Sequence, residues 1–266
     1  MDDQALDRLV DDILRTPKYR QISPALVRSL ATHELSIRRT PREALKATKA
    51  RLHQVAGAFL DREPRYARWL AALTAANPDP LACRAVCLAA MEGHASTRER
   101  LPILEPFYQT IFAHLPPVGR LLDLACGLNP LAAPWMQFPR RATYLACDLY
   151  ADLVAFLAAA LPLLGLEAQT MVCDLAPGPP AWEADVALVL KTLPVLEHVR
   201  RGAGQDLLRQ IRAPYLVVSF PTRSLGGRDV GMAATYGGQI EQLIAAEAWQ
   251  ATRLEFANEL VFVIKR

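Results

Sequence analysis

Arg120-Leu-Leu-Asp-Leu-Ala-Cys-Gly-Leu-Asn-Pro130 and, 23 positions on, Thr143-Tyr-Leu-Ala-Cys-Asp148 decide the fold class. Each is a short apolar run that stops at a glycine or an acid. Ala168 to Cys173, Asp185 to Leu190 and Tyr215 to Phe220 repeat the pattern. Helical stretches at 151–164 and 203–211 lie between them. Short buried strands alternating with helices predict a doubly wound, mostly parallel, Rossmann-like α/β sheet with helices on both faces. The tail departs from this pattern. Gln250 to Phe256 and Glu259 to Lys265 are joined by a turn at Ala257-Asn258, which predicts an antiparallel hairpin at the sheet edge.

Upstream, nothing reads as a strand. Leu6, Leu9, Val10, Ile13 and Leu14 recur with a period near 3.6. Ser23-Pro24 and Thr40-Pro41 each pair an N-cap with proline at the first helical position. They predict helices to Leu35 and to about Leu60. Residues 65–76 and 80–92 predict two more, and Ser96 opens another through Phe112. The change of pattern near 114–118 predicts an all-helical N-terminal domain, 1–115, and an α/β domain, 116–266.

Open parallel sheets bind ligands at the carboxyl ends of their strands. Gly127 allows a tight turn there, Asp148 can accept from ribose hydroxyls, and Asp174 with Leu175 can meet an adenine. One strand-end acid alone is as readily a turn cap. Three strands ending this way form a nucleoside-binding set. The turn lacks G-x-G-x-x-G, so a pyrophosphate is disfavoured. A phosphate-free adenosine cofactor, S-adenosylmethionine, fits better. Its carboxylate needs a partner, and His94-Ala-Ser-Thr-Arg-Glu-Arg100 offers Arg98 and Arg100. Ser96 with Glu99 also matches a capping box.

Charge is unevenly spread. The 266-residue chain carries a formal +3, yet residues 13–51 hold ten basic and two acidic side chains. Lys18, Arg20, Arg38, Arg39, Arg42, Lys46, Lys49 and Arg51 belong to this segment. Several recur at three- and four-residue spacing, hence on one helical face. Such a surface predicts contact with nucleic-acid phosphates. Few aromatics accompany it, which points to folded RNA rather than stacked single strands. The acidic start is unlike a signal peptide, and the longest apolar run, Leu153 to Leu166, is too short to span a bilayer. A soluble cytoplasmic protein is expected. Five cysteines without zinc spacing read as buried apolar residues, and no metal is expected. Cys126, Cys147 and Cys173 lie at strand ends and are expected to approach one another.

The motifs His94–Arg100, Asp123-Leu-Ala-Cys-Gly-Leu-Asn-Pro130 and Ser219-Phe-Pro-Thr-Arg-Ser-Leu-Gly-Gly-Arg228 resemble the Arm/Rmt-type 16S ribosomal RNA methyltransferases of aminoglycoside resistance. The likeness extends to Lys18-Tyr19-Arg20, Ala50-Arg-Leu-His53 and Glu259–Lys265. The resemblance implies a class I methyltransferase fold. It also implies methyl transfer from S-adenosylmethionine to N7 of an A-site guanine in the small ribosomal subunit, with S-adenosylhomocysteine as product. It places His94, Ser96, Arg98, Arg100, Asp123, Ala125, Gly127, Asp148, Leu149, Asp174 and Leu175 around the cofactor. Lys191 would be the catalytic-site residue near the guanine, and Arg223 and Arg228 would contact RNA. One departure is Leu190-Lys191-Thr192, where the family shows an aromatic before the lysine and a leucine after it. A monomer is expected. The alternatives are a small-molecule methyltransferase with a helical lid and a non-catalytic RNA-binding protein.

Overall fold

The computed structural model describes residues 3–57, 64–139, 142–222 and 232–266. The helical part comprises α1 (Asp3–Leu14), α2 (Pro24–Ile37), α3 (Pro41–Leu52), α4 (Tyr66–Ala76), α5 (Pro80–Met91), α6 (Ala95–Arg100) and α7 (Leu104–Phe112). The Thr40 hydroxyl caps α3 by accepting from the Glu43 N–H at 3.2 Å. The hydroxyl of Ser23 makes no such bond, so Pro24 alone marks the start of α2. Two expectations change here. The helix after Thr40 ends at Leu52 and runs into a π-turn, His53–Gly57; the remainder, to Leu60, lies outside the described residues. The helix expected from Ser96 to Phe112 is two helices. A 3-10 turn at Leu101–Ile103 separates them, because Pro102 cannot donate within a helix. His94, not Ser96, is the N-cap residue of α6.

The sheet holds β1 (Arg120–Leu124), β2 (Thr143–Asp148), β3 (Glu167–Val172), β4 (Val186–Leu190), β5 (Tyr215–Pro221), β6 (Gln250–Glu255) and β7 (Glu259–Lys265). Their order is β3-β2-β1-β4-β5-β7-β6. The first five strands are mutually parallel; β7 pairs antiparallel with both β5 and β6. Four further helices connect them: α8 (Ala151–Leu163), α9 (Leu193–Val199), α10 (Ala203–Gln210) and α11 (Met232–Ala246). α11 is not among the helices expected above, although Tyr236, Ile240, Leu243 and Ile244 recur at helical spacing.

Alternation along each strand builds two cores. Leu121, Tyr144, Val186 and Val217 face one cluster, shared with α8 and the N-terminal helices. Leu122, Leu145, Ala187 and Val218 face the other, shared with α9, α10 and α11. This is the period-2 consequence of strand geometry in a sheet covered on both sides. The N-terminal helices are tied to the sheet by backbone bonds as well. Ser23 N–H donates to Leu149 O at 2.9 Å, and Ala151 N–H donates to Gln21 O at 2.8 Å. The order reverses between β1 and β4, which opens a crevice at their carboxyl ends.

Candidate cofactor cleft and nucleic-acid interface

A cleft lies at this switch point. His94, Ser96, Ala125, Asp148, Leu149, Asp174, Leu175 and Lys191 all line it. Asp148 ends β2 beneath the turn that follows β1. Its carboxylate accepts from the backbone N–H groups of Gly127 (2.9 Å) and Leu149 (2.7 Å). Burial pushes this carboxyl above its ordinary pKa, and the backbone donors work against that rise. Asp174 is also raised by burial, opposed by the Ala176 N–H at 2.9 Å. Both acids therefore sit where further donors from a ligand stabilise their charge. Gly127 is one layer behind. It has φ +51°, and a Cβ there would lie 2.8 Å from the imidazole of His94. The missing side chain lets that ring pack onto the turn, where Nδ1 meets the Ser96 hydroxyl at 3.0 Å. Cys147 and Cys173 do meet: a hydrogen bond from Cys147 lowers the Cys173 thiol, which borders the cleft.

Three side chains expected at the cofactor do not line the cleft. Arg98 is exposed and donates to Glu92 O at 3.3 Å, because α6 turns it away from the sheet. Asp123 is 1% exposed and sits within the core, where Asn129 Nδ2 (2.8 Å) and the Tyr144 hydroxyl (2.7 Å) both donate to it. Arg100 is 2% exposed. Its Nε and Nη2 donate to Glu259 at 3.1 and 2.7 Å, and Nη1 donates to Asn129 Oδ1 at 2.8 Å. A guanidinium this deep requires a carboxylate, and β7 supplies it.

Lys191 directly follows β4, with φ +57°. Its backbone N–H donates to Ser219 O at 3.0 Å. Its ammonium is held by Glu99 Oε2 at 2.8 Å and Glu259 Oε2 at 3.5 Å. Two carboxylates hold its side chain in place. Thr192, one of the two departures beside it, turns its hydroxyl toward Leu190 O at 3.2 Å.

The basic segment forms an exposed surface on α2, α3 and the α1–α2 connection. Lys18, Arg20, Arg39, Arg42 and Lys46 are exposed, and Lys49 is half-buried. Several members also have partners within the chain, among them Lys18, whose Nζ lies 2.9 Å from His53 Nδ1. Glu34, buried inside α2, accepts from Arg38 Nε at 2.9 Å and from Arg51 Nη1 at 3.2 Å. Arg51 also donates to Val199 O at 2.8 Å, so its fork is turned inward rather than toward a phosphate. Arg38 keeps an exposed edge. Arg223 and Arg228 lie outside the described residues. Among the described residues, no helix is long and apolar enough to cross a membrane.

A family model described as "Ribosomal RNA methyltransferase (FmrO)" matches residues 15–263. The chain belongs to this family. Among curated relatives, the 16S rRNA (guanine(1405)-N(7))-methyltransferase of Frankia casuarinae is 45% identical over 99% of this chain and 95% of its own length. The enzyme of the same description from Micromonospora echinospora is 43% identical, covering 98% and 97%. The crystal structure of the 16S rRNA methyltransferase RmtF in complex with S-adenosyl-L-homocysteine superposes with a TM-score of 0.85 at 36% identity, over 100% of this chain and 99% of that one. The 16S rRNA methylase RmtB gives 0.81 at 30% identity, over 98% of both chains. The class I methyltransferase fold that the resemblance implies is therefore present.

In this FmrO-family chain the polar network behind the cleft is larger than sequence reasoning indicated. Glu259 holds Arg100, the Ser219 hydroxyl and Lys191 at once, while fully buried. Burial works against its charge, yet the two cations keep its carboxyl below the ordinary value. Asn129 joins Arg100 to Asp123, and the Tyr108 hydroxyl donates to Asn129. Glu99 turns to Lys191 instead of closing a capping box. A usable signal existed at Glu259: it is the one acid opening the apolar run Glu259-Leu-Val-Phe-Val-Ile-Lys265. An acid at the buried end of a central strand calls for a buried cation.

Proposed function

We propose that this protein methylates N7 of an A-site guanine of 16S rRNA in the small ribosomal subunit, with S-adenosylmethionine as donor, and thereby confers aminoglycoside resistance. The carrying observation is the cleft at the β1/β4 switch point, lined by two desolvated acids and roofed by His94 over Gly127. These residues fit the cofactor. Asp148 would hold the ribose hydroxyls, Asp174 with Leu175 the adenine, and Leu149 the apolar surface between them. His94, Ser96 and Ala125 flank the methionine portion. Arg100, bound to Glu259 and Asn129, lies behind this wall and braces it.

When bound, the cofactor supplies an activated methyl group on a sulfonium. The chain's task is alignment. Guanine N7 carries an in-plane lone pair and no proton, so no general base is required. That matches a Lys191 side chain pinned by two carboxylates. Orientation of this kind contributes on the order of 7–11 kcal/mol in well-aligned systems. The helical region docks the RNA through Lys18, Arg20, Arg39, Arg42, Lys46 and Lys49, with Arg38 at the margin. Phosphate contacts of this type set position and leave base choice to the cleft. The enzyme acts as a monomer in the cytoplasm.

The deciding experiment supplies methyl-labelled cofactor with isolated small subunits, with naked 16S rRNA, or with a pool of small metabolites. Label is expected in the subunits, at a guanine found by borohydride and aniline cleavage. Label confined to small metabolites would reject the RNA target. A protein that binds subunits but no cofactor would reject the enzyme.

A further inference from the structure

We infer that Arg51 is a positioning residue for the cofactor, fastening the helical region across one lip of the cleft, rather than a contact to RNA. This rests on the cofactor reading above. By sequence Arg51 belongs with the basic face of α3. In the fold it occupies the last turn of α3, immediately before the π-turn His53–Gly57. Its guanidinium meets two separate partners. One is Glu34, on α2 and 2% exposed. The other is the end of α9, where Nη2 donates to Val199 O at 2.8 Å and approaches His198 O at 3.4 Å.

The last carbonyls of a helix lack internal partners and carry its negative end, so a cation there satisfies both needs. What Arg51 joins is also what borders the cleft. Val55, from the π-turn, and Val195 and Val199, from α9, all line it. A π-turn is an uncommon backbone form that concentrates at functional positions. Here it brings Val55 to the cleft wall while Arg51, four residues earlier, grips α9. Glu34 keeps the fork oriented, and Arg38 completes the pairing of that buried carboxylate at 2.9 Å. The exposed cations of the same helix stay free for RNA. One helix thus serves the RNA with its outer face and the cofactor cleft with Arg51.

The test compares Arg51→Met, which keeps the apolar stem, with Arg39→Glu as a surface control. Binding of S-adenosylhomocysteine is measured by calorimetry, and small-subunit binding by a fluorescence assay. Methyl transfer is measured at varied cofactor and varied subunit. Losing a charge-assisted pair of bonds is expected to raise the cofactor Kd and KM about tenfold in Arg51→Met. Its kcat at saturating cofactor and its subunit affinity should stay within about twofold of the parent. Arg39→Glu should show the opposite split. The double variant Glu34→Gln/Arg51→Met removes the buried charge left behind and must keep the cofactor defect, which separates clamping from misfolding. Weakened subunit binding with unchanged cofactor affinity in Arg51→Met would overturn the proposal and return Arg51 to the RNA surface. Restored cofactor affinity in the double variant would overturn it too. If the parent protein itself fails to bind S-adenosylhomocysteine, the cofactor reading fails instead.

Discussion

Glu259 shows how one side chain can organise a site that it does not face. Its carboxylate accepts from Arg100 and Ser219 and pairs with Lys191, so three parts of the chain converge on it. Substituting Glu259→Gln leaves two cations with a neutral partner in the core. Breaking a buried pair from one side costs about 3–5 kcal/mol. Urea unfolding at neutral pH should show a loss of that order, with methyl transfer falling alongside. A loss below about 1 kcal/mol would place the carboxylate among ordinary surface pairs. Asp123 gives a second test, with the opposite sign. Burial pushes its carboxyl up to about 7, against an ordinary 3.8, with Asn129 and Tyr144 opposing. The folded state then holds a proton that the unfolded chain has released. This group therefore favours folding less as pH rises from about 4 to 7. Asp123→Asn removes that proton exchange. Melting curves between pH 4 and 8 should give a flatter profile for the variant than for the parent. An unchanged slope would show that Asp123 titrates as an exposed acid does. Asp148 and Asp174 were legible because strand-end acids are local patterns. The partners of Arg100 and Lys191 were not, because they lie 159 and 92 positions away.

Among the elements, α3 best separates what periodicity can and cannot reveal. Its basic residues at three- and four-residue spacing predict a charged face, and Arg42 and Lys46, with Arg39 just before the helix, are indeed exposed. The same spacing groups Arg51 with them, although its fork turns to α9 and Glu34. A period describes direction around one helix; it is blind to the neighbouring helix that takes the last turn. The strands were legible almost to the residue, since a doubly covered sheet requires apolar runs that turns must end. The interruption of the 96–112 helix was less so, although Pro102 was in plain view. The charged face leads to a prediction at this scale. Replacing Arg39, Arg42 and Lys46 together by Glu should weaken small-subunit binding by at least about tenfold near physiological salt and flatten its salt dependence, because each lost phosphate contact removes a released counterion. Cofactor affinity should not change. Equal loss of both activities, read by calorimetry and subunit pull-down on one preparation, would mark a folding defect instead of a docking surface.

At the scale of the whole molecule, composition suggested two halves: a basic helical part and a near-neutral α/β part meeting near 114–118. The packing joins them more tightly than charge implies. Phe107, Tyr108 and Ile111 of α7 share one buried cluster with Leu121, Tyr144 and Val186 of the sheet. Ile22 forms an isolated bridge with Tyr150. Arg100 crosses the boundary to Glu259, while His94, Ser96 and Val55 contribute cleft wall from the helical side. An all-helical segment is recognisable by its period, but whether it folds separately depends on where its apolar faces are buried, and that is a tertiary fact. A fragment of residues 116–266 would expose the sheet face that α7 and its neighbours cover and would strand Glu259 without Arg100. Native domains keep such faces covered, and the net stability available to offset the loss is only about 5–15 kcal/mol. The fragment is therefore expected to lack a cooperative thermal transition, to bind a hydrophobic dye, and to bind no S-adenosylhomocysteine, while the full chain melts in a single step. A fragment that melted cooperatively and bound the cofactor would show instead that the helical region is an appended docking module, and that the charge boundary is a folding boundary as well.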